Sequence, residues 1–425
     1  MSDRQNGGIA GMNILITSIG NKVNLVKYFR RALFNEGTGM LFGSDIDPLV
    51  PTRSFLDRLL CSPPSDSPLF PEWLVEQVKS HQVRLIIPSR DEDLPQLARL
   101  KKLLHADYHC RVMVAEPDVI DICLDKSRFY YWCARHGFAY PEVLEKEQVK
   151  QQDLPLFVKP KTGSGSRYVY PVQSWQQWQD VKQDLGDDFL VQRFVSGQEY
   201  TLDVFVGQAG KVLSVVPRAR LKTQHGESVH SRVELDQQLI KLATQLAEQL
   251  NLVGHNTIQC FKQQGEVLFS EVNARFGGGF TLGVEAGADT PRYLLREQKS
   301  LAPLNDHLSL QDGLEMRRIH KDLFYAAKKS KVFCFDLDGT ICSENCPYEQ
   351  AQPMPLIVEK INLLFQQGHT IIIATARGAA SQTCWRELTE KQLNEWGVQY
   401  HELITSKPYA DVYIDNKALD VLEFI

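Results

Sequence analysis

Thr257-Ile-Gln-Cys-Phe261, the polar break Gln263-Gln-Gly265 and the run Glu266-Val-Leu-Phe-Ser-Glu-Val-Asn-Ala-Arg275 decide how this chain reads. Two apolar-rich runs around a Gly-containing break predict an antiparallel hairpin. Alternation sets Val267, Phe269, Glu271 and Asn273 against Leu268, Ser270 and Val272, so the Glu271 oxygens and the Asn273 carbonyl share one face. A three-residue connection with Gly265 in the left-handed position places Gln259 opposite Phe269 and diagonal to Glu271, on that same face. Oxygen donors that leave room for water and phosphate are what a Mg-nucleotide site needs. An acid among Val267, Phe269 and Val272 is costly to bury without a partner, which favours a metal role for Glu271. Arg275 suits phosphoryl charge developing in a transition state.

Upstream, the apolar run Leu156-Phe-Val-Lys159 is followed by Thr162-Gly-Ser-Gly-Ser166, a loop whose backbone N–H groups can cradle phosphate oxygens. By itself such a loop is more often an ordinary turn. Lys159 and the earlier Lys126 add two cations able to converge on one polyphosphate. Residues 118–136 have a helical pattern, strand-rich material runs through 191, 201–206 and 212–216, and a helix is expected over 236–250. Arg218, Arg220 and Lys222 form a basic cluster that either steers an anionic substrate or is a solvated face. Nearer the N-terminus, Asn13-Ile-Leu-Ile-Thr17, a loop to Gly20 and an amphipathic stretch over 22–33 give strand, loop and helix. Further strands at 40–46 and 84–88 flank a helix at 73–79, so the first 115 residues alternate α and β. A single Gly20 makes no G-x-G-x-x-G, which disfavours a dinucleotide site there.

Taken in order, Lys126, Lys159 with its Gly-rich loop, Gln192-Arg-Phe-Val195, Gly197-Gln-Glu199 and Glu271-Val-Asn273-Ala-Arg275 resemble the ATP-grasp superfamily. The branch most resembled holds carbamoyl phosphate synthetase large subunits and carboxylate-amine ligases. The resemblance covers roughly residues 12–325. It implies that Lys126, Lys159 and the loop residues Gly163, Ser164, Gly165 and Ser166 contact ATP phosphates. Gln192, Arg193, Phe194 and Val195 would form the hinge beside adenine, and Glu199 would bind ribose hydroxyls. Gln259, Glu271 and Asn273 would hold Mg2+ (or Mn2+), and Arg275 would face the transferred phosphate. Read alone, Glu199 has a lesser alternative as a solvated strand-edge acid, because its assignment depends on the hinge register.

After the basic run at 328–331, Val332-Phe-Cys-Phe leads into Asp336-Leu-Asp338-Gly-Thr340, two carboxylates just past an apolar strand. The carboxyl end of a strand is where an open parallel sheet places ligand chemistry. Asp336 can attack phosphorus, and Asp338 can donate a proton to the leaving oxygen. Thr375, at the end of Thr370-Ile-Ile-Ile-Ala374, can bind a phosphate oxygen. Lys407 supplies a cation, and the strand starting at Asp411 ends in Asp415. This set resembles the haloacid dehalogenase-like phosphatases over residues 331–425, with Asp336, Asp338 and Asp415 around Mg2+. Asn416 departs from the pattern, standing where many relatives carry a second acid. Only 34 residues lie between Thr340 and Thr375, too few for a large lid.

The expected architecture is therefore an α/β and α+β multidomain chain. An N-terminal open α/β pre-ATP-grasp domain spans 12–115, an ATP-grasp nucleotide-binding and catalytic domain 116–326, and a C-terminal Rossmann-like, haloacid dehalogenase-type domain with minimal cap 331–425. The expected function is bifunctional: an ADP-forming carboxylate-amine (or carboxylate-thiol) ligase and a phosphomonoester hydrolase acting on a phosphorylated substrate or product of the ligase. A small-molecule kinase with a phosphatase domain and a nucleotide-sensing module are the rival readings.

Composition agrees with a globular chain: 425 residues, 43% apolar, 23% charged, and 47 Lys and Arg against 52 Asp and Glu for a net charge of -5. That balance argues against a nucleic-acid partner. With no run of about 18 apolar residues, no membrane partner is expected. The first 11 residues lack the apolar core of a signal peptide, and nine scattered cysteines read as reduced thiols, so a cytoplasmic location is expected. Cys342 and Cys346 are a weak zinc signal without a second ligand pair. The expected partners are a small-molecule carboxylate, an amine and a phosphomonoester; a homo-oligomer is left open.

Overall fold

The computed structural model describes residues 12–36, 39–163, 169–224, 226–301, 310–319, 331–344, 346–366, 368–379, 383–410 and 417–419. They divide into two compact units: residues 12–32 and those from 40 to 321 form the larger, and residues 33–39 with those after 321 the smaller.

The larger unit opens with a parallel sheet of β1 (Asn13–Ile16), β2 (Leu41–Asp45), β3 (Arg58–Cys61), β4 (Val83–Ile87) and β5 (Arg111–Val112), in the order β3-β2-β1-β4-β5. The helices α1 (Val23–Glu36), α2 (Phe70–Ser80) and α3 (Leu94–Tyr108) alternate with these strands. The chain leaves β1 in one direction for β2 and returns on the other side for β4, so β1 and β4 flank the switch point where open α/β sheets bind ligands.

Residues 118–136 do not form one helix. They form α4 (Pro117–Leu124) and α5 (Lys126–His136), because Asp125 adopts an extended backbone and caps the second helix. Its carboxylate accepts from Ser127 N at 2.7 Å and Arg128 N at 3.2 Å. Next come β6 (Val143–Leu144), β7 (Leu156–Pro160), β8 (Tyr170–Val172), α6 (Trp175–Asp184) and β9 (Phe189–Arg193), whose strands form a sheet ordered β6-β9-β7-β8. The helix α6 was not expected in a stretch read as strand-rich. Its signal is the capping box Ser174-x-x-Gln177, in which each side chain satisfies the other residue's backbone N–H. The buried Trp178 then anchors it in a core with Leu156, Val158 and Val191.

The largest sheet contains β10 (Gln198–Val206), β11 (Val212–Gln224), β12 (Glu227–Val233), β13 (Gly254–Gln263), β14 (Glu266–Asn273) and β15 (Glu315–Arg317), in the order β14-β13-β10-β11-β12-β15. Three helices accompany it: α7 (Gln237–Gln249), α8 (Phe280–Glu285) and α9 (Thr290–Gln298). Tyr200, Leu202, Val204, Ile258 and Cys260 join Leu239, Ala243, Leu246 and Ala247 of α7 in a core that continues to Leu15, Phe42 and Ile86 of the first sheet. One apolar cluster thus ties the two sheets together. The opposite face carries polar alternates, including Asp203 and Arg218, beside a separate apolar cluster of Val216, Val233, Leu282 and Ala286.

The smaller unit contains β16 (Val332–Asp336), α10 (Pro355–Gln366), β17 (Thr370–Ala374), α11 (Arg386–Glu395) and β18 (Glu402–Ile404). Its three strands are parallel, in chain order, around Phe335, Leu337, Ile357, Ile361, Ile371 and Ile373.

Candidate functional site

The β13–β14 hairpin differs from its expected register in two ways that together set the site. The turn has two residues, not three: Gln263 pairs with Glu266, and Gln264 (φ 52) and Gly265 (φ 85) are both left-handed, as a two-residue hairpin of matching twist requires. Cys260 is therefore opposite Phe269. The register then slips by one, because Gln259 faces Glu271 and Ser270 is left over as a bulge. Gln259 is thus directly opposite Glu271, not diagonal to it. The bulge also separates residues expected on one face. Val267 and Phe269 point into the core together with Val272, while Glu271 and Asn273 turn to the polar side. The carbonyl of Ser270 accepts the Tyr130 hydroxyl at 3.1 Å.

Around Glu271 the structure brings together most of the sequence-predicted residues. Lys126, the first residue of α5, has its Nζ 3.8 Å from Glu271 Oε2 and donates to the Gly163 carbonyl at 2.9 Å. Asn273 Nδ2 lies 3.3 Å from Glu271 Oε1. Lys159, on β7, is almost fully buried and donates to the Tyr130 hydroxyl at 2.9 Å. Burial pulls the Lys159 ammonium down to about 8, with Glu271 opposing and Lys126 adding to the shift. Burial would raise the Glu271 carboxyl, but the Lys126 and Lys159 cations carry it below its ordinary value. Tyr130 escaped the sequence reading. It is buried, stacks on Tyr140 at 5.1 Å and reaches Gln192 Oε1 at 3.4 Å.

A second group forms around Arg220. Its Nη1 donates to Glu199 Oε1 at 2.8 Å and to Gln259 Oε1 at 2.9 Å, and its Nη2 to the Gly226 carbonyl at 2.7 Å. Glu199 is therefore an ion-paired acid of the polar face and not a solvated edge residue. Burial nevertheless raises its carboxyl, against the pull of Arg220. Arg218 is not solvated either. It is 1% exposed and grips Asp203 with Nε at 2.7 Å and Nη2 at 2.9 Å. The chain passes so closely that a Cβ at Gly279 would overlap the Arg218 guanidinium. Only Lys222 of the three basic residues is exposed.

Arg275 closes the site toward the first sheet. Its Nη2 contacts Asp91 at 2.5 Å and Asn273 Oδ1 at 3.2 Å. Asp91, in the loop after β4, had no sequence signal. Arg193, by contrast, turns its side chain to Glu142 at 2.5 Å and Asp153 at 2.8 Å, and Phe194 is exposed. Val195 is half-buried. Ser164, Gly165 and Ser166 lie outside the described residues.

The donor set suits Mg2+. One carboxylate and two amide oxygens are hard ligands, too few for a closed cage and compatible with retained water and phosphate oxygens. Gln259 would have to share its oxygen with Arg220. Among the described residues, Arg220 Nε and Arg275 Nε are buried without a hydrogen-bond partner, two donors on this face left for a ligand to meet.

In the smaller unit, Asp336 ends β16 and its Oδ2 accepts from Lys407 Nζ at 2.6 Å. Thr375 follows β17, fully buried, with Oγ1 accepting from Arg377 N at 3.1 Å. Arg377 was not singled out by sequence, although it stands two residues after Thr375. Its Nε lies 3.0 and 2.9 Å from the two Asp338 oxygens and its Nη2 2.6 Å from Oδ1, while Nη1 reaches Gln392 at 2.6 Å. Each acid thus faces a cation. Asp415, with Asp411 and Asn416, lies outside the described residues.

No helix among the described residues is long and apolar enough to cross a membrane. A family model described as "ATP-grasp in the biosynthetic pathway with Ter operon" matches residues 186–322, and one described as "PylC-like, N-terminal domain" matches residues 14–124. No curated protein matches the chain. Among solved structures, the biotin carboxylase domain dimer of Hydrogenobacter thermophilus 2-oxoglutarate carboxylase, in complex with MgADP, ADP and bicarbonate, is 14% identical. That match covers 72% of this chain and 73% of that one with a TM-score of 0.58. N5-carboxyaminoimidazole ribonucleotide synthetase from Thermotoga maritima is 19% identical over 70% and 78%, with a TM-score of 0.53. L-Amino acid ligase from Bacillus licheniformis is 17% identical over 68% and 74%, with a TM-score of 0.52. At these identities the likeness is one of fold. The chain carries an ATP-grasp domain behind a PylC-like N-terminal domain.

Proposed function

We propose that the larger unit is an ADP-forming ligase that activates a substrate carboxylate with ATP and joins it to an amine, or to a thiol. The observation that carries this reading is the convergence of Lys126, Lys159, Glu271 and Asn273 on one polar sheet face, closed by Arg275. The solved relatives of like fold include two named as a synthetase or ligase and one crystallised with MgADP, which supports it. Lys126 and Lys159 hold the polyphosphate, and Glu271, Asn273 and Gln259 hold the divalent cation. When bound, Mg2+ screens phosphate charge during transfer. Arg275 meets the charge on the transferred group as a carboxylate oxygen of the substrate bonds to the γ-phosphorus and the bond to ADP breaks. The amine then attacks the acyl carbon, loses its proton, and phosphate leaves.

ADP release should depend on both an acid and an amine in a screen of mixed pools, with amide and phosphate as products by mass spectrometry and 31P NMR. Glu271→Gln should lower kcat by about a hundredfold or more. A stable phosphorylated acid without amide would instead indicate the kinase reading, and binding of ATP without turnover the sensing reading.

We propose further that residues 331–425 form a haloacid dehalogenase-type phosphomonoesterase, with Asp336 as nucleophile, Asp338 as acid and Thr375 and Lys407 on the phosphate. The support is the arrangement of Asp336, Lys407 and Thr375 at the carboxyl ends of parallel strands. Asp338 has both oxygens against Arg377, so its acid role requires the substrate to rearrange that pair. Asp336→Asn should abolish hydrolysis of p-nitrophenyl phosphate in Mg2+; full retained activity rejects the assignment.

A further inference from the structure

Lys22 sits where the fold gives a cation little support. It immediately precedes α1, its carbonyl accepting from Val26 N at 3.3 Å, so its charge meets the positive end of a helix. Lys22 is half-buried, and burial followed by the nearby Arg275 brings its ammonium down to about 8. The acceptor it finds is neutral, Ser89 Oγ at 3.2 Å, whose own proton goes to the Thr17 and Ser18 carbonyls at 2.6 and 2.8 Å.

The acids that face Lys22 are committed elsewhere. Asp93 accepts from Thr17 Oγ1 at 2.7 Å and Ser18 Oγ at 2.9 Å, and Asp91 is held by Arg275. Arg90, also nearby, is paired with Glu92 at 3.2 Å. No ion pair of Lys22 is found among the described residues. Among the described residues, Lys22 Nζ thus has a single hydrogen-bond acceptor for its three donors, and Arg275 Nε has none. Lys22 and Ser89 lie in the loops after β1 and β4, the switch point of the parallel sheet, beside Arg275, the residue proposed to face the transferred phosphate.

We infer that Lys22, with Ser89 beneath it and Arg275 beside it, forms the subsite for an anionic group, a carboxylate or a phosphate, on the substrate that the nucleotide site activates. Lys22 supplies charge and two hydrogen bonds, and Arg275 joins that subsite to the phosphoryl group. The inference rests on the ligase reading for what happens next, while anion binding at Lys22 stands or falls separately.

The test uses the full chain, with and without saturating MgADP. Thermal unfolding is followed against succinate and, separately, inorganic phosphate, each matched to sodium chloride at equal ionic strength. At least one anion should stabilise the wild type beyond chloride. Lys22→Gln should raise its half-maximal concentration about tenfold, and Lys22→Arg should stay within about threefold of wild type. A response to succinate alone assigns a carboxylate, and to phosphate alone a phosphate. In the wild type, the effective anion should also protect Lys22 from acylation by an amine-reactive ester, read by mass spectrometry, a result that does not depend on how the variants fold. Equal stabilisation by chloride, or an unchanged titration in Lys22→Gln, overturns the inference. Failure of the wild type to bind MgADP would reject the ligase reading instead.

Discussion

Raising the pH should weaken nucleotide binding through one residue, Lys159. In the free protein, burial holds its ammonium at about 8, among Tyr130, Lys126, Glu271 and Glu199. A polyphosphate against Nζ favours the charged form and should return the group toward its ordinary 10.5. The sign follows directly. Below about 8 both free and bound forms carry the proton, so affinity is flat. Above it, binding must take up a proton that the free protein has lost, and affinity falls with each further unit until the bound form also titrates. With values of about 8 and about 10.5, the dissociation constant for MgADP should rise roughly 30-fold between pH 7 and pH 9.5. Isothermal titration calorimetry at both pH values measures this, and paired buffers of different ionisation enthalpy at about pH 9 should report uptake of nearly one proton. Lys159→Gln should bind about 10- to 100-fold more weakly at pH 7 through loss of a charge-assisted hydrogen bond, and its pH profile should be flat. Lys22→Gln should keep the wild-type profile, although Lys22 titrates in the same range. A constant affinity from pH 7 to 9.5 with no proton uptake would refute the reasoning.

Two further outcomes follow from the polar face. Arg218→Met strands the buried Asp203 carboxylate and should cost about 3–5 kcal/mol by denaturant unfolding, much of it recovered by adding Asp203→Leu. Deleting Ser270 removes the bulge and should turn Glu271 and Asn273 toward the core. Loss of MgADP binding, with a fall in stability of several kcal/mol for a buried carboxylate, is expected by calorimetry and urea titration; retained binding would show that the bulge does not orient the acid.

Much of the architecture was legible because it rests on local chemistry. Alternating apolar runs gave the strands at 13–16, 41–45, 83–87, 332–336 and 370–374 within a residue or two. The helix at 175–184 was missed although Ser174 and Gln177 announce it, because its few apolar residues make a weak stripe. The break at Asp125 was missed because an Asp inside a helical pattern also suits a solvated face. The basic cluster on β11 could not be resolved from sequence. Whether Arg218 and Arg220 meet water or Asp203 and Glu199 depends on which strand lies alongside and on α8 covering the face.

The order and types of the chemistry-bearing residues were fixed by the chain itself: Lys126, Lys159, Glu271, Asn273 and Arg275 in one half, Asp336, Asp338, Thr375 and Lys407 in the other. Their geometry was not. A single bulged residue decided which face Glu271 occupies, since a slip of one position in a structure of period two reverses every side chain beyond it. Likewise, only the tertiary fold brought Asp91 and Lys22 to Arg275. Interactions such as Asp91 with Arg275, 184 residues apart, leave no periodic trace in the sequence and arise only when the strands assemble into sheets.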